Sequence, residues 1–386
     1  MQRIYLDHTA TTPLDPRVQD AMLPFFSGVF GNASSIHSFG REAKQSLEQS
    51  RAVIASAIGA KPGEIFFTSG GTEANNLAIR GTAFAAREKA GRAHLVTSSA
   101  EHHAVLEPCE ALEKEGFGVT FLPVDNHALV SPDDVSASLT PTTALVSVMA
   151  ANNEVGSVSL LEEIGHVCRS KGILFHSDSV QALGKIPLNV NSLNVDLMSF
   201  SAHKIYGPKG IGALYVRQGT ALDPVLRGGG QERGKRAGTE SVPLAVGFAR
   251  AVELAIGEMS DESKRLSGLR DHLEGMILSR FPEVVVNGHP TKRLPGILSI
   301  SFASDRISLE GEMLVVNMDI EGVAVASGSA CTSGSIQPSH VILAMGRDVA
   351  AARATIRFSL GKSTTVGDIN TAVEALERVL GRMRKK

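Results

Sequence analysis

A lysine at the end of an apolar run, with a serine and a histidine beside it, is the arrangement that condenses with an aldehyde cofactor. This chain has it at Ser201-Ala202-His203-Lys204. The preceding Asp196-Leu197-Met198-Ser199-Phe200 reads as a buried strand, and the following Ile205 to Gly210 ends in turn residues. A lysine held there can form a Schiff base while hydroxyl and imidazole groups hold a phosphate. A surface lysine in a turn is the ordinary alternative.

Upstream, Gly172 to Gln181 reads as a second buried strand with Asp178 at its C-terminal end, where an α/β sheet presents its chemistry. An aspartate there can pair with a pyridinium nitrogen and keep it protonated, as pyridoxal phosphate chemistry needs, or it can cap a helix. Together, Asp178 and Lys204 favour the cofactor. The turn Ser69-Gly70-Gly71-Thr72-Glu73, between an expected strand (Glu64 to Thr68) and a helix reaching about Ala86, lets backbone N–H groups approach an anion. It lacks the GxxxxGK[ST] and GxGxxG patterns, so it indicates a phosphate cradle rather than a nucleotide site. His102 can stack on a flat ring and move protons near neutral pH. Asn32 can bind a carboxylate or make an Asx-turn. Cys331, among small polar residues from Ser327 to Ser335, predicts an exposed, mobile thiol and a candidate nucleophile. Cys109 and Cys168 lie in helical apolar surroundings and read as packing.

The elements that must position these residues alternate. Strands ending before His102, Asn153, Asp178 and Lys204 alternate with helices, which predicts an α/β domain around a mainly parallel sheet with its site at the strand C-terminal ends. Asp15-Pro16 should open a helix to about Phe26, and Gly40 to Ile58 carries helical periodicity. Gly210 to Val216 should run back antiparallel, and Arg227 to Thr239 reads as a flexible basic loop. Val242 to Ser279 is helical, with a break expected near Met259, and should join two domains. The C-terminal part mixes strands (Gly296 to Phe302, Ile356 to Gly361) with helices opening near Ser308 and Val366. Arg357 stands on the second of these strands as a candidate buried arginine.

At 386 residues the chain exceeds the size of one ordinary core. Its net charge of −2 gives no pull toward nucleic acid or acidic membrane. Three widely spaced cysteines exclude a disulfide framework and a CxxC metal signature, and point to a reducing compartment. With no apolar run long enough to span a membrane and no signal-like N-terminus, a cytoplasmic location is expected.

These segments together resemble the NifS/IscS-type cysteine desulfurases of the class-V aminotransferase family. The resemblance runs from Tyr5 to about Leu380. It is carried by Leu6 to Pro13, Thr68 to Glu73, Glu101-His102-His103, Asn152-Asn153-Glu154, His176 to Gln181, Ser201 to Lys204 and Ser327 to Cys331. Ala33 and Ser179 depart from it, standing where proline and alanine are usual. The resemblance implies an α/β fold of pyridoxal phosphate fold type I (aspartate aminotransferase-like). A large domain (14–257) would hold a mainly parallel seven-stranded sheet. A smaller α+β domain (1–13 with 258–386) would carry the cysteine loop, about 327–338.

By the same resemblance Lys204 carries pyridoxal 5'-phosphate through an imine and Asp178 pairs with the ring nitrogen. His102 stacks on the ring, while Gln181 and Asn153 approach its phenolic oxygen. Gly71, Thr72, Ser201 and His203 hold the phosphate, and Thr239 reaches the phosphate of the other subunit of a homodimer. Arg357, through a bidentate fork, and Asn32 bind the α-carboxylate of L-cysteine. Cys331 accepts the sulfur as a persulfide, leaving L-alanine, and passes it to an acceptor such as an iron–sulfur scaffold. No resident metal is implied, and Cys331 is a candidate transient iron–sulfur ligand. The alternatives are a selenocysteine lyase, an aminotransferase or a catalytically silent sulfur-transfer scaffold.

Thiolate tuning is a weak lever for Cys331. A thiol with pKa ~8.5 is about 3% thiolate at pH 7. Lowering the pKa to ~7 gives roughly fifteenfold more thiolate and costs roughly fivefold in nucleophilicity, a net gain of about threefold. Delivery matters more, since positioning can supply ~7–11 kcal/mol.

Overall fold

The computed structural model describes residues 3–302, 311–327 and 338–383. The chain opens with β1 (Ile4–Tyr5), α1 (Pro16–Met22), α2 (Pro24–Ser27) and α3 (Ser38–Ala57). Asp15 caps α1 by accepting from the Arg17 N–H, with Pro16 inside the first turn. The single helix expected as far as Phe26 is two, because Pro24 has no N–H with which to continue α1. Then follow β2 (Ile65–Thr68), α4 (Gly71–Ala90), β3 (His94–Ser98), α5 (His103–Lys114), β4 (Gly118–Leu122) and α6 (Pro132–Ser138). Next come β5 (Thr143–Ser147), α7 (Leu161–Ser170), β6 (Leu174–Asp178), β7 (Leu197–Ser201) and β8 (Gly212–Val216).

These last seven strands, β2 to β8, form one sheet in the order β2-β8-β7-β6-β5-β3-β4. Only β8 runs against its neighbours, as its position after Lys204 predicts. Successive residues of the central strands point to opposite faces. Leu95, Leu145, Leu197 and Leu214 pack under α4 and α5 with Leu77, Cys109 and Leu112. Val96, Val146, Met198 and Phe200 pack on the other face with Ile54, Ile164 and Cys168. Covering both faces explains why β5, β7 and β8 are apolar or small along their whole length and entirely buried.

A helix of 39 residues, α8 (Val242–Arg280), runs from this core to a second one. Ala245, Phe248 and Val252 belong to the first core, and Leu269, Leu273 and Ile277 to the second. The break expected near Met259 is absent: packing at both ends holds the helix through Gly257, whose cost is only about 1 kcal/mol. The expected boundary at 257/258 falls inside this helix. Beyond it lie β9 (Val284–Asn287), β10 (Ile297–Phe302), α9 (Gly311–Ile320), β11 (Val323–Ala324), α10 (His340–Ala344), α11 (Val349–Arg353), β12 (Thr355–Ser359) and α12 (Val366–Met383). Strands β12, β10 and β9 make an antiparallel sheet, and β1 pairs with β11. Ile4 and Leu6 join this second core, which carries the N-terminal residues back to the mouth of the large sheet.

The segment 227–239 is not the loose basic loop its composition suggests. Glu232 is buried, and its two oxygens accept from Arg51 Nη1 and Nη2, each at 2.8 Å, and from the Phe67 N–H. Glu232 and Arg233 sit at positive φ (45° and 56°), a turn that this pairing holds in place.

Candidate active site

The C-terminal ends of β5, β6 and β7 open into a cleft of about 570 Å³, closed by residues of the N-terminal segment and of β12. Ten of the residues expected at the site line it: Gly71, Thr72, His102, Asn153, Asp178, Gln181, Ser201, His203, Lys204 and Arg357. Strands of the same sheet end at one edge, so residues far apart in sequence meet there.

Lys204 follows β7 in a short 3-10 turn. Its Nζ donates to the Thr9 carbonyl at 2.6 Å and the Ala10 carbonyl at 2.8 Å. Burial, and then the Arg357 guanidinium, lower its pKa to about 8 against the pull of Asp178 and Asp7. About a tenth of such an amine is neutral at pH 7, against fewer than one in a thousand at the ordinary value. That is what a lysine nucleophile toward an aldehyde requires. Two residues on, Tyr206 takes a positive φ of 64°, reversing the chain, and its N–H donates to Thr12 Oγ1.

Asp178 ends β6 and is buried. Its Oδ2 accepts from Asn75 Nδ2 at 2.7 Å and its Oδ1 from the Val180 N–H at 3.0 Å. His102 caps α5, its Nδ1 accepting from the Ala104 N–H, so a neutral ring keeps its proton on Nε2. Burial lowers its pKa, Asp178 opposes this, and Lys204 and His103 add to it. Both the capping role and the cleft-lining role therefore hold for this residue.

The 20-residue helix α4 starts at Gly71 with its N-terminus at the cleft. A Cβ at Gly71 would stand 2.6 Å from Val180 Cγ2, so glycine is needed for the turn to lie against the wall. Ser201 Oγ is buried with no hydrogen-bond partner among the described residues. His203 shares a hydrogen bond with Thr11 Oγ1, and burial, Lys204, Lys209 and Lys185 lower its pKa to about 4. A helix N-terminus, an unpartnered hydroxyl and neighbouring imidazole make an anion cradle. Glu73 pins it from behind, accepting from the Ser69 N–H and from Arg236.

Arg357 on β12 donates from Nη1 to the Asn153 carbonyl and from Nη2 to Asp7 Oδ1 at 2.8 Å, while its Nε has no partner among the described residues. Two expected residues do not reach this cleft. Asn32 makes the Asx-turn, its Oδ1 accepting from the Ser34 N–H. Thr239 is exposed in a separate hollow beside Ser69, Arg236 and Glu240. Cys331 and most of the expected cysteine loop lie outside the described residues. The residues on either side are fixed at the site. Ser327 lines the cleft, Ser339 Oγ donates to Glu154, and His340 Nε2 is 2.8 Å from the Glu101 carbonyl.

Three participants escaped the sequence reading: Asn75, Asp7 and the Thr9 carbonyl. Asn75 had a usable signal, since it lies four residues after Gly71 and shares its helix face. A backbone carbonyl carries no signal in residue type. Among the described residues no cluster could hold a metal ion, and no helix is long and apolar enough to cross a membrane.

Comparison with known proteins places this geometry in a class. The chain belongs to the class-V aminotransferase family, whose model matches residues 4–371. Its sheet and cleft are those of the aspartate aminotransferase-like fold of pyridoxal phosphate enzymes. Within that family its relatives are cysteine desulfurases. "Cysteine desulfurase IscS" of Dictyoglomus turgidum is 50% identical over 99% of this chain and 96% of its own length. "Cysteine desulfurase" of Rattus norvegicus is 46% identical over 100% and 84%. A solved "NifS-like protein" superimposes with a TM-score of 0.91 at 37% identity, covering 98% of this chain and 100% of its own. A structure of SspA in complex with cysteine gives a TM-score of 0.82 at 37% identity, covering 92% and 98%.

Proposed function

We propose that this chain is a pyridoxal phosphate-dependent cysteine desulfurase that turns L-cysteine into L-alanine and leaves the sulfur on Cys331. The observation that carries the reading is the meeting of Lys204, Asp178 and His102 with an unsatisfied anion cradle in one cleft. The residues fit the cofactor. Lys204 would hold it covalently, and Asp178, backed by Asn75, would face its ring nitrogen. His102 would lie on the ring, with Asn153 and Gln181 at the phenolic oxygen. Gly71, Thr72, Ser201 and His203 would take the phosphate. When bound, pyridoxal phosphate supplies an electron sink at the substrate α-carbon.

The chain's own groups do the rest. Arg357 holds the substrate α-carboxylate. Asn32 is placed by its own turn and would serve only through a rearrangement. Lys204 Nζ takes the α-proton, its lowered pKa making the free amine available. The Cys331 thiolate then attacks the substrate sulfur. The S–S bond forms as the C–S bond breaks, the C–S electron pair stays with the substrate carbon, and Cβ takes up a proton released from the thiols, so no outside oxidant or reductant is needed.

We read the protein as a homodimer. Phe26, Phe30, Ile36 and Phe39 expose a large apolar surface near α3. Thr239 is exposed and outside its own cleft, and in such a dimer it would serve the phosphate of the second copy. A protein acceptor, such as an iron–sulfur scaffold, would discharge the persulfide, with Cys331 as a transient cluster ligand. Cys109 and Cys168 stay as buried free thiols, in keeping with a reducing cytoplasm.

The test is production from L-cysteine of alanine and, with a thiol reductant added to discharge the persulfide, of sulfide, wild type against Cys331→Ala, with the visible absorbance of the bound cofactor recorded. Loss of product with absorbance retained supports the reading. Cysteine consumption that survives the substitution without forming alanine points to aminotransfer, and a chain that binds no cofactor points to a scaffold.

A further inference from the structure

A second, smaller cavity of about 70 Å³ lies behind the cleft, and Lys204 borders both. Lys185 lines it from the turn that follows β6. The Lys185 Nζ donates to Gln181 Oε1 at 2.8 Å. An ammonium has donors only, so it fixes which end of the Gln181 amide it meets. The other end, Nε2, donates to the Thr9 carbonyl at 3.0 Å, the same carbonyl that accepts from Lys204. The Gln181 amide is thus clamped at both ends, and its second N–H is left for the cleft that Gln181 lines.

We propose that Lys185 is a positioning residue for the cofactor site: it holds Gln181 so that an amide N–H, and not an amide oxygen, faces the phenolic oxygen of bound pyridoxal phosphate. This rests on the reading of the cleft given above. With Lys185 removed, only Thr9 restrains the amide, and Oε1 is free to swing toward an oxygen that carries negative charge. Charge on that oxygen, once unsatisfied, strengthens the hold of the cofactor-linked Lys204 nitrogen on its proton.

The charged and titratable groups around Lys185 come from every neighbouring element. They are His203, Lys204 and Tyr206 after β7, Arg357 on β12 with Lys362 beyond it, His8 in the N-terminal segment, and Glu258 and Glu262 on α8. Burial, then Lys204 and Arg357, lower the Lys185 pKa to about 7. A neutral amine can also accept, but the Thr9 carbonyl holds the Gln181 Nε2 end, so the amine still meets Oε1 as a donor and the clamp persists on both sides of that pH.

The experiment is a pH titration of the visible absorbance of the holoenzyme. Lys185→Met should raise the midpoint by about one pH unit with the cofactor still bound, and Gln181→Met should do the same. The double variant should move little beyond Gln181→Met alone, because Lys185 acts through Gln181. Lys185→Arg, which keeps a donor, should stay near wild type. An unchanged midpoint in Lys185→Met overturns the proposal. So does a shift that persists in full in the Gln181→Met background, since that is the mark of the bare charge. Should Lys185→Met not fold, Lys185→Leu, which also lacks a donor, serves the same comparison. A wild-type protein with no bound chromophore would instead sink the proposed function, and this inference with it.

Discussion

Asn75 Nδ2 donates to Asp178 Oδ2 at 2.7 Å, and both groups are buried. One carboxylate oxygen is therefore committed to the helix α4, while Asp178 as a whole still faces the cleft. Asn75→Ala is expected to cost about 1–3 kcal/mol at this acceptor, or roughly five- to 150-fold in cofactor affinity. Asn75→Asp should cost more, because two carboxylates in contact cannot both stay ionised. Equilibrium titration of the apoprotein with pyridoxal phosphate reads both, and equal affinities for all three proteins would remove Asn75 from the site.

Arg357 gives one N–H to Asp7 and one to the Asn153 carbonyl, which fixes the plane of its guanidinium at the cleft wall. Lysine cannot reproduce that fork. Arg357→Lys is expected to raise KM for L-cysteine by about tenfold or more, the scale of one lost charge-assisted hydrogen bond, with a smaller effect on kcat. Steady-state kinetics checks it, and an unchanged KM would place the substrate carboxylate elsewhere.

Local sequence carried the parts of this site that sit at strand ends. Lys204 and Asp178 stand at the ends of apolar runs that read as buried strands, and the sheet sets both at one edge. What stayed hidden depends on distant partners. Glu232, Arg233 and Arg236 look like solvated loop charges until Arg51, the Ile65 carbonyl and Glu73 are placed beside them. Lys185 looks like an exposed lysine four residues past a glutamine. Thr239 is expected at the site only by resemblance, and Asn32 reads as either a carboxylate ligand or an Asx-turn; within one chain neither reaches the cleft, and Asn32 makes the turn. His176 carries no signal of its own in the sequence, yet it links three strands.

That histidine makes a pH prediction. His176 on β6 is fully buried between Ser147 Oγ on β5 (2.8 Å) and Ser199 Oγ on β7 (3.0 Å). Burial lowers its pKa from 6.5 to about 3. Between those values the unfolded chain binds a proton that the folded chain does not. Stability from this residue is therefore complete above about pH 6.5 and is lost as pH falls toward 3. His176→Gln should flatten the acid limb of the denaturation free energy by about one proton, near 1.4 kcal/mol per pH unit. Urea titrations of both proteins from pH 6.5 to 4 would show it; parallel curves would mean the imidazole is charged in the fold.

The buried pair of Arg51 and Glu232 makes the last prediction, and it concerns stability. Both side chains are almost wholly enclosed, with 4% and 1% of their surfaces exposed. Glu232 satisfies two arginine nitrogens and the Phe67 N–H at the root of the phosphate turn. Removing one partner strands the other charge in a dry site, so Glu232→Ala should cost about 3–5 kcal/mol. Replacing both, as Arg51→Met with Glu232→Leu, should cost less than the two single losses added together, because no charge is left unpaired. The cost should also be felt at Thr239, since the same turn leads through Arg236 to Glu73 and the anion cradle. Denaturant unfolding of the two single variants and the double closes the cycle. Additive losses would mean that the pair is solvated and that the segment 227–239 is held by something else.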